Sequence, residues 1–299
     1  MVKVKVPATS ANVGAGFDCM GLAVKLYNYV YMDFSSELKI SSLDGLNVVN
    51  KKSNLIYKSA VYLFKFCGFK KFESLKIVQK SNIPQTRGLG SSSACIVAGL
   101  VGANFLLGLP LKNREILNIA NKLEGHPDNV APAILGGFVV CATKNSFVHY
   151  VKHNVNNNKL KFVFLIPNFK MSTAKARKVL KKEVSLKDAI FNVSRASFFV
   201  SSILNEKFSN LKVAVEDKLH QKERLKLIEN GDRIFKLAYS LGAYGVYLSG
   251  SGPSIVAICD CKNSNFESCL VKKLEDLKIR NWNVNNLKID RKGVVAQKV

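Results

Sequence analysis

Pro84-Gln85-Thr86-Arg87-Gly88-Leu89-Gly90-Ser91-Ser92-Ser93-Ala94 joins a proline, two glycines one residue apart and three serines to a mostly apolar run reaching Leu107. Glycine permits φ > 0 and lets a ligand approach the backbone. Serines favour the start of a helix, and the free N–H groups there attract phosphate. The stretch fits a loop that cradles a phosphate chain at the head of a buried helix. On local grounds it fits an ordinary capped helix equally well. A Walker loop is excluded, because no lysine follows Gly90. The dinucleotide pattern is excluded, because Ser93 stands where its third glycine belongs. The chain has neither His-Arg-Asp nor Asp-Phe-Gly, which removes the protein-kinase set.

Upstream, Val2 to Val6 alternates as a strand ending at Pro7. Residues 7–18, Pro-Ala-Thr-Ser-Ala-Asn-Val-Gly-Ala-Gly-Phe-Asp, are small, polar and glycine-bearing, the composition of a loop. Asn12 and Asp18 there suit either a functional loop or a turn that bonds its own backbone. Leu22 to Phe34 predicts one long strand or two short ones, Asn54 to Phe66 an amphipathic helix, and Ser74 to Val78 a strand. Downstream of the apolar run, Asn113 caps a helix over 114–123. Then come Glu124, His126, Asp128 and Asn129 within six residues. A carboxylate close to a phosphate loop suits Mg²⁺, which takes oxygen ligands. The alternative is a polar turn between helices.

Residues 144–161 are polar and asparagine-rich, which places a boundary there and divides the chain into domains 1–155 and 156–299. Leu160 to Ile166 predicts a strand closed by Pro167; Ser172 and Thr173 cap a short helix bearing Arg177. Helices are predicted over 186–204 and 208–219, followed by a polar turn, His220 to Arg224. Short strands over 243–248 and 254–259 flank the tight turn Ser249-Gly250-Ser251-Gly252-Pro253. A helix over 266–277 and a last strand over 282–289 complete an α+β layout.

The chain has 299 residues, 47% of them hydrophobic, enough for a sizeable core in one large or two medium domains. No apolar run approaches the roughly 20 residues of a membrane helix, and the start lacks the apolar core of a signal peptide. We therefore expect a cytoplasmic protein with no membrane partner. The seven cysteines are odd in number, scattered, and without zinc spacing, as in a reducing compartment. The net charge of +24 raises a nucleic-acid binder as a rival reading. The lysines are spread along the chain without a basic tail, so no nucleic-acid partner is expected and the charge serves to draw anionic substrates.

Three stretches belong together: the one at 7–18, Gly88-Leu89-Gly90-Ser91-Ser92-Ser93-Ala94, and Ser249-Gly250-Ser251-Gly252-Pro253-Ser254. They resemble the three motifs of the GHMP small-molecule kinases. Within that family the chain is similar to the branch that acts on L-homoserine. The match lies in the opening motif, in Glu124-Gly125-His126-Pro127-Asp128-Asn129-Val130-Ala131-Pro132, in Ser172-Thr173-x-x-Ala176-Arg177 and in Leu219-His220-Gln221-x-x-Arg224. The resemblance implies a two-domain α+β GHMP kinase fold. Its N-terminal half would be like ribosomal protein S5 domain 2, with a left-handed βαβ crossover, and its C-terminal half ferredoxin-like. It implies ATP and Mg²⁺ as cofactors and phosphorylation of the L-homoserine hydroxyl to O-phospho-L-homoserine, a step of threonine biosynthesis. A sister kinase acting on another alcohol such as mevalonate is the alternative.

By the same resemblance, residues 84–94 wrap the triphosphate and Asn54 lies near the adenine. Ser92 and Glu124 hold Mg²⁺, with Ser91 competing for the serine role. Asn12, Asp18, His126, Arg177 and Arg224 hold the amino acid: an ammonium wants Asp18, a carboxylate wants arginines. Asn129 stands where other members of the family carry an aspartate base, which implies direct attack by the hydroxyl, with Asn129 orienting it and Arg177 beside the reaction. The chain departs from the branch at Lys181, where a proline is usual, and in carrying three serines rather than two. A homodimer is left open.

Overall fold

The computed structural model describes residues 1–45 and 48–299. The first half contains β1 (Val2–Ala11), β2 (Met20–Ser35), β3 (Lys39–Ser42), α1 (Leu55–Phe66), β4 (Ser74–Ser81), α2 (Ser91–Leu106), α3 (Asn113–Glu124), α4 (Pro127–Leu135), β5 (Phe138–Lys144) and β6 (Phe147–His153). There follow β7 (Leu160–Pro167), α5 (Thr173–Lys178), α6 (Leu186–Leu204), α7 (Leu211–Ala214), α8 (Gln221–Leu225), α9 (Gly231–Ser240), β8 (Gly245–Leu248), β9 (Ile255–Asp260), α10 (Phe266–Asp276), β10 (Trp282–Asn286) and β11 (Val295–Lys298).

Two sheets organise these elements. The first runs β11-β1-β2-β4-β3, with β5 beside the start of β2 and β6 beside β5. The second is wholly antiparallel, β10-β7-β9-β8. β2 can serve two neighbours on one side because it is long: Met20–Leu22 pairs with β5, and Asn28–Ser35 with β4. Helix α2 lies at the centre. Its residues from Ser93 to Asn104 are buried almost without interruption, so it is apolar on all sides rather than amphipathic. β7 is likewise buried along its whole length, its one charged side chain, Lys161, being paired with Glu267.

Several boundaries differ from those predicted. β1 does not stop at Pro7. It continues to Ala11, because a register shift between Pro7 and Ala8 lets the strand keep pairing with β2 around a residue that has no N–H. The polar segment at 144–161 contains β6, whose outer face is solvated, so its polarity marks an edge hairpin rather than a simple linker. The helix predicted over 208–219 is only a 3₁₀ turn and α7, and the turn at 220–224 is largely the helix α8. α9 and β11 were not anticipated. β11 returns the chain end to the first sheet, beside β1. The seven cysteines are all free thiols. Among the described residues, no helix is long and apolar enough to cross a membrane.

Candidate active site

The head of α2 is where β1, α4 and the turn at 249–253 converge. Gly90 precedes the helix in the left-handed conformation, φ 66°, and offers no side chain to cap it. A Cβ there would stand 1.9 Å from Thr9 Oγ1 and 3.0 Å from Asn129 Oδ1, so only glycine fits. Gly88 is pressed equally hard against the turn, since its Cβ would meet the Ser249 carbonyl oxygen at 2.3 Å. Ser249 Oγ donates to the Gly88 carbonyl at 2.6 Å, and the Ser254 N–H reaches the Arg87 carbonyl. The first-turn N–H groups of α2 are thereby left for a ligand.

The serines do not cap the helix. Ser93 Oγ donates to Glu124 Oε1 at 2.7 Å and Ser92 Oγ to Oε2 at 3.4 Å. Glu124 ends α3, so two helix termini bring a carboxylate and two hydroxyls together beside the loop. All are oxygen donors, the set Mg²⁺ prefers. A second acidic group, Asp18 with His126 and Asp128, has ligand atoms within 4.8 Å of one another. That group suits a cation less well, because its atoms are already committed to one another and to Arg177.

Those commitments are specific. His126 Nδ1 lies 2.5 Å from Asp128 Oδ1. Burial alone would lower the pKa of this imidazole; the hydrogen bond and charge of Asp128 outweigh it and raise the value. The same carboxylate oxygen accepts from Asn129 Nδ2 at 3.2 Å, and Thr9 Oγ1 donates to Asn129 Oδ1 at 2.7 Å. The amide of Asn129 is therefore held at both ends, with one N–H left over. Asp18, at φ 56°, is held through its backbone by Asn12 Oδ1, while Asn12 Nδ2 donates to the Gly250 carbonyl at 2.8 Å. Asp18 accepts both prongs of the Arg177 guanidinium.

Arg224 is 1% exposed, although the sequence sets it in a polar turn. Its Nε donates to the Ala176 carbonyl at 3.3 Å, and Nη1 to the Gly250 carbonyl at 3.0 Å and to His220 Nδ1 at 3.3 Å. Among the described residues no carboxylate forms an ion pair with it, and Nη2 has no hydrogen bond. Burial, and then the charge of Arg177, pull its pKa down to about 10.

Most of the sequence-derived residues thus line one cleft of about 300 Å³: the loop from Gln85 to Ser93 apart from Arg87, with Asn12, Asp18, Glu124, His126, Asn129, Arg177 and Arg224. Pro84 and Ala94 flank this loop outside the lining, and Arg87 is spent on structure, donating to the carbonyls of Pro167 and Gln85. Asn54 is also apart: its Oδ1 caps α1, accepting from the N–H groups of Ile56 and Tyr57. Sequence reasoning missed Thr9, which sits inside a quoted motif but acts only across the fold, and it gave Asp128 no role of its own, although its bonds to His126 and Asn129 are local. It also missed Thr173 and Ser251, two hydroxyls of the lining.

A glycine-tight loop between two sheets, facing paired acids and arginines, is an arrangement suited to a small-molecule kinase. The family model of the GHMP kinases N terminal domain matches residues 54–137 and that of the GHMP kinases C terminal domain residues 200–268, and the chain belongs to this family. Among its relatives along the whole chain are homoserine kinases. One from Clostridium beijerinckii is 44% identical over 295 residues, 98% of this chain and 97% of its own. One from Clostridium acetobutylicum is 43% identical over 297 residues, 99% of each chain. The crystal structure of homoserine kinase from Cytophaga hutchinsonii matches with a TM-score of 0.88 at 28% identity, over 99% of this chain and 97% of that one. The Methanococcus jannaschii mevalonate kinase, at 17% identity and a TM-score of 0.68, shares the fold.

Proposed function

We propose that the protein transfers the γ-phosphoryl group of ATP to the side-chain hydroxyl of L-homoserine, giving O-phospho-L-homoserine on the route to threonine. The observation that carries this reading is Arg224, a buried guanidinium in the cleft that, among the described residues, forms no ion pair with a carboxylate and keeps Nη2 open. A buried charge with no carboxylate in contact is costly, so the site suits a ligand that brings an anion. Asp18, which pairs with Arg177 in the same cleft, supports an ammonium in the same ligand. Together they describe an amino acid, which homoserine is and mevalonate is not.

The loop 84–94 receives the phosphate chain on backbone N–H groups. Ser92 and Glu124, joined by Ser93, are the oxygen donors suited to Mg²⁺, which when bound neutralises charge on the phosphates. Phosphoryl transfer needs positioning and charge neutralisation more than covalent help. Asn129, fixed by Thr9 and Asp128, orients the attacking hydroxyl through its free N–H and has no proton-accepting group to act as a base. The division at 155/156 suits this use, with the cleft between the units, although β11 crosses back to the first. The test is ADP release by the purified protein with Mg²⁺, comparing L-homoserine, mevalonate, galactose and L-serine. Turnover confined to L-homoserine is expected; turnover with mevalonate alone would sink the assignment of Arg224 and Asp18.

A further inference from the structure

His220 is as buried as Arg224, and the two are tied side chain to side chain. Its Nε2 lies 2.9 Å from the Gly14 carbonyl. A carbonyl only accepts, so Nε2 carries the hydrogen, and in the neutral ring Nδ1 is left with a lone pair. That lone pair faces Arg224 Nη1 at 3.3 Å. Asp217 is not the partner of the ring: its Oδ2 is 3.8 Å from Nε2 and accepts instead from the backbone N–H groups of His220 and Gln221. Phe17 completes the arrangement. Its ring stacks on His220 at 5.1 Å and 25°, and the Arg224 guanidinium lies 5.2 Å from the same ring.

We infer that His220 is a positioning residue for the substrate carboxylate, its Nδ1 lone pair turning the Arg224 guanidinium so that Nη2 stays open to the cleft. The guanidinium has three hydrogen-bonded acceptors on its closed side: the Ala176 carbonyl, the Gly250 carbonyl and His220 Nδ1. Only the last is a side chain, and only it can be changed without moving backbone. Gly14 and Phe17 sit in the loop that also carries Asp18. One loop therefore sets the distance between the ammonium and carboxylate positions, and His220 is its link to Arg224.

The inference rests on the functional reading above, and the experiment separates the two. His220→Asn keeps an acceptor near the Nδ1 position; His220→Gln keeps an amide donor long enough for Gly14 but withdraws the acceptor from Arg224. Each variant is assayed with L-homoserine and with 3-aminopropan-1-ol, which lacks the carboxylate, after its melting temperature has shown it folded. His220→Gln is expected to raise the KM for L-homoserine by about tenfold or more, the scale of a hydrogen bond to a charged group, with the KM for ATP unmoved. His220→Asn is expected to restore most of the loss, and neither variant should alter kcat/KM for 3-aminopropan-1-ol. A merely structural histidine would shift both substrates by the same factor, and that result overturns the inference. So does an unchanged KM for L-homoserine in His220→Gln. Wild-type protein that ignores L-homoserine would overturn the functional reading first and this inference with it.

Discussion

Asp18 and Arg177 bind each other through both prongs, Nη2 to Oδ1 at 2.8 Å and Nη1 to Oδ2 at 3.2 Å, at the edge of the proposed amino-acid site. The pair has the charges of the proposed ligand in reverse. A zwitterion can replace it without leaving either ion alone: its ammonium takes over Asp18 and its carboxylate takes over Arg177. A ligand with one charge breaks the pair and satisfies only one half.

Asp18→Asn should therefore weaken L-homoserine binding far more than it weakens the fold. The side chains are 38% and 33% exposed, and an ion pair that open is worth no more than about 1 kcal/mol. The expected result is a KM raised by about ten- to a hundredfold, since a hydrogen bond to a charge contributes about 1.5–3 kcal/mol. The melting temperature should stay within a few degrees. Steady-state kinetics beside calorimetry checks both.

Arg224 reverses the balance. Its charge is buried and, among the described residues, forms no ion pair, Asp18, Asp128 and Asp217 acting on it only beyond contact distance. Replacing it with methionine removes a desolvated ion while filling the space, a change that is often neutral or stabilising. Arg224→Met is expected to melt at or above the wild-type temperature and to lose saturation by L-homoserine. A strongly destabilised variant would mean that the three hydrogen bonds, not the open side, explain the residue.

Glu124→Gln leaves an acceptor for Ser93 but removes the carboxylate charge. The Mg²⁺ concentration at half-maximal rate should rise by about ten- to a hundredfold, as for disturbed metal sites elsewhere. An unchanged Mg²⁺ dependence would move the metal away from these helix ends.

Asn129→Ala should lower kcat while keeping the shape of the pH–rate profile, because an orienting amide does not titrate. A lost limb in that profile would assign Asn129, or the Asp128 to which it is bonded, to proton transfer instead.

His126 makes stability depend on pH in a known direction. Asp128 raises its pKa above the ordinary 6.5 against the pull of burial. Its contribution is complete below 6.5 and fades as pH rises through the folded value. Urea unfolding of wild type and His126→Gln should differ most on the acid side and converge on the alkaline side. Buried His220, whose pKa is lowered by desolvation first and by Arg224 against Asp217, works oppositely: its contribution stands above 6.5 and is lost on acidification. The stability profile should therefore fall away on both sides.

The sequence by itself determined a glycine turn at 88–90 opening onto a buried helix, because glycines followed by an apolar run leave few other structures. It determined most of the regular elements, whose periodicities are local, and it marked nearly every residue that lines the cleft. Tertiary structure decided what those residues do to one another. That Ser92 and Ser93 turn to Glu124 rather than cap α2, that Thr9 holds Asn129, and that Asp18 closes on Arg177 are contacts between residues 31 to 159 positions apart. That Arg224 is buried beside a neutral histidine could not be read from the residues before it in the chain, which are polar. β1 passing through Pro7 and β11 returning beside β1 were decided the same way. Strand pairing is a property of the partner strand, and a charge is costly or cheap only according to what the fold sets around it.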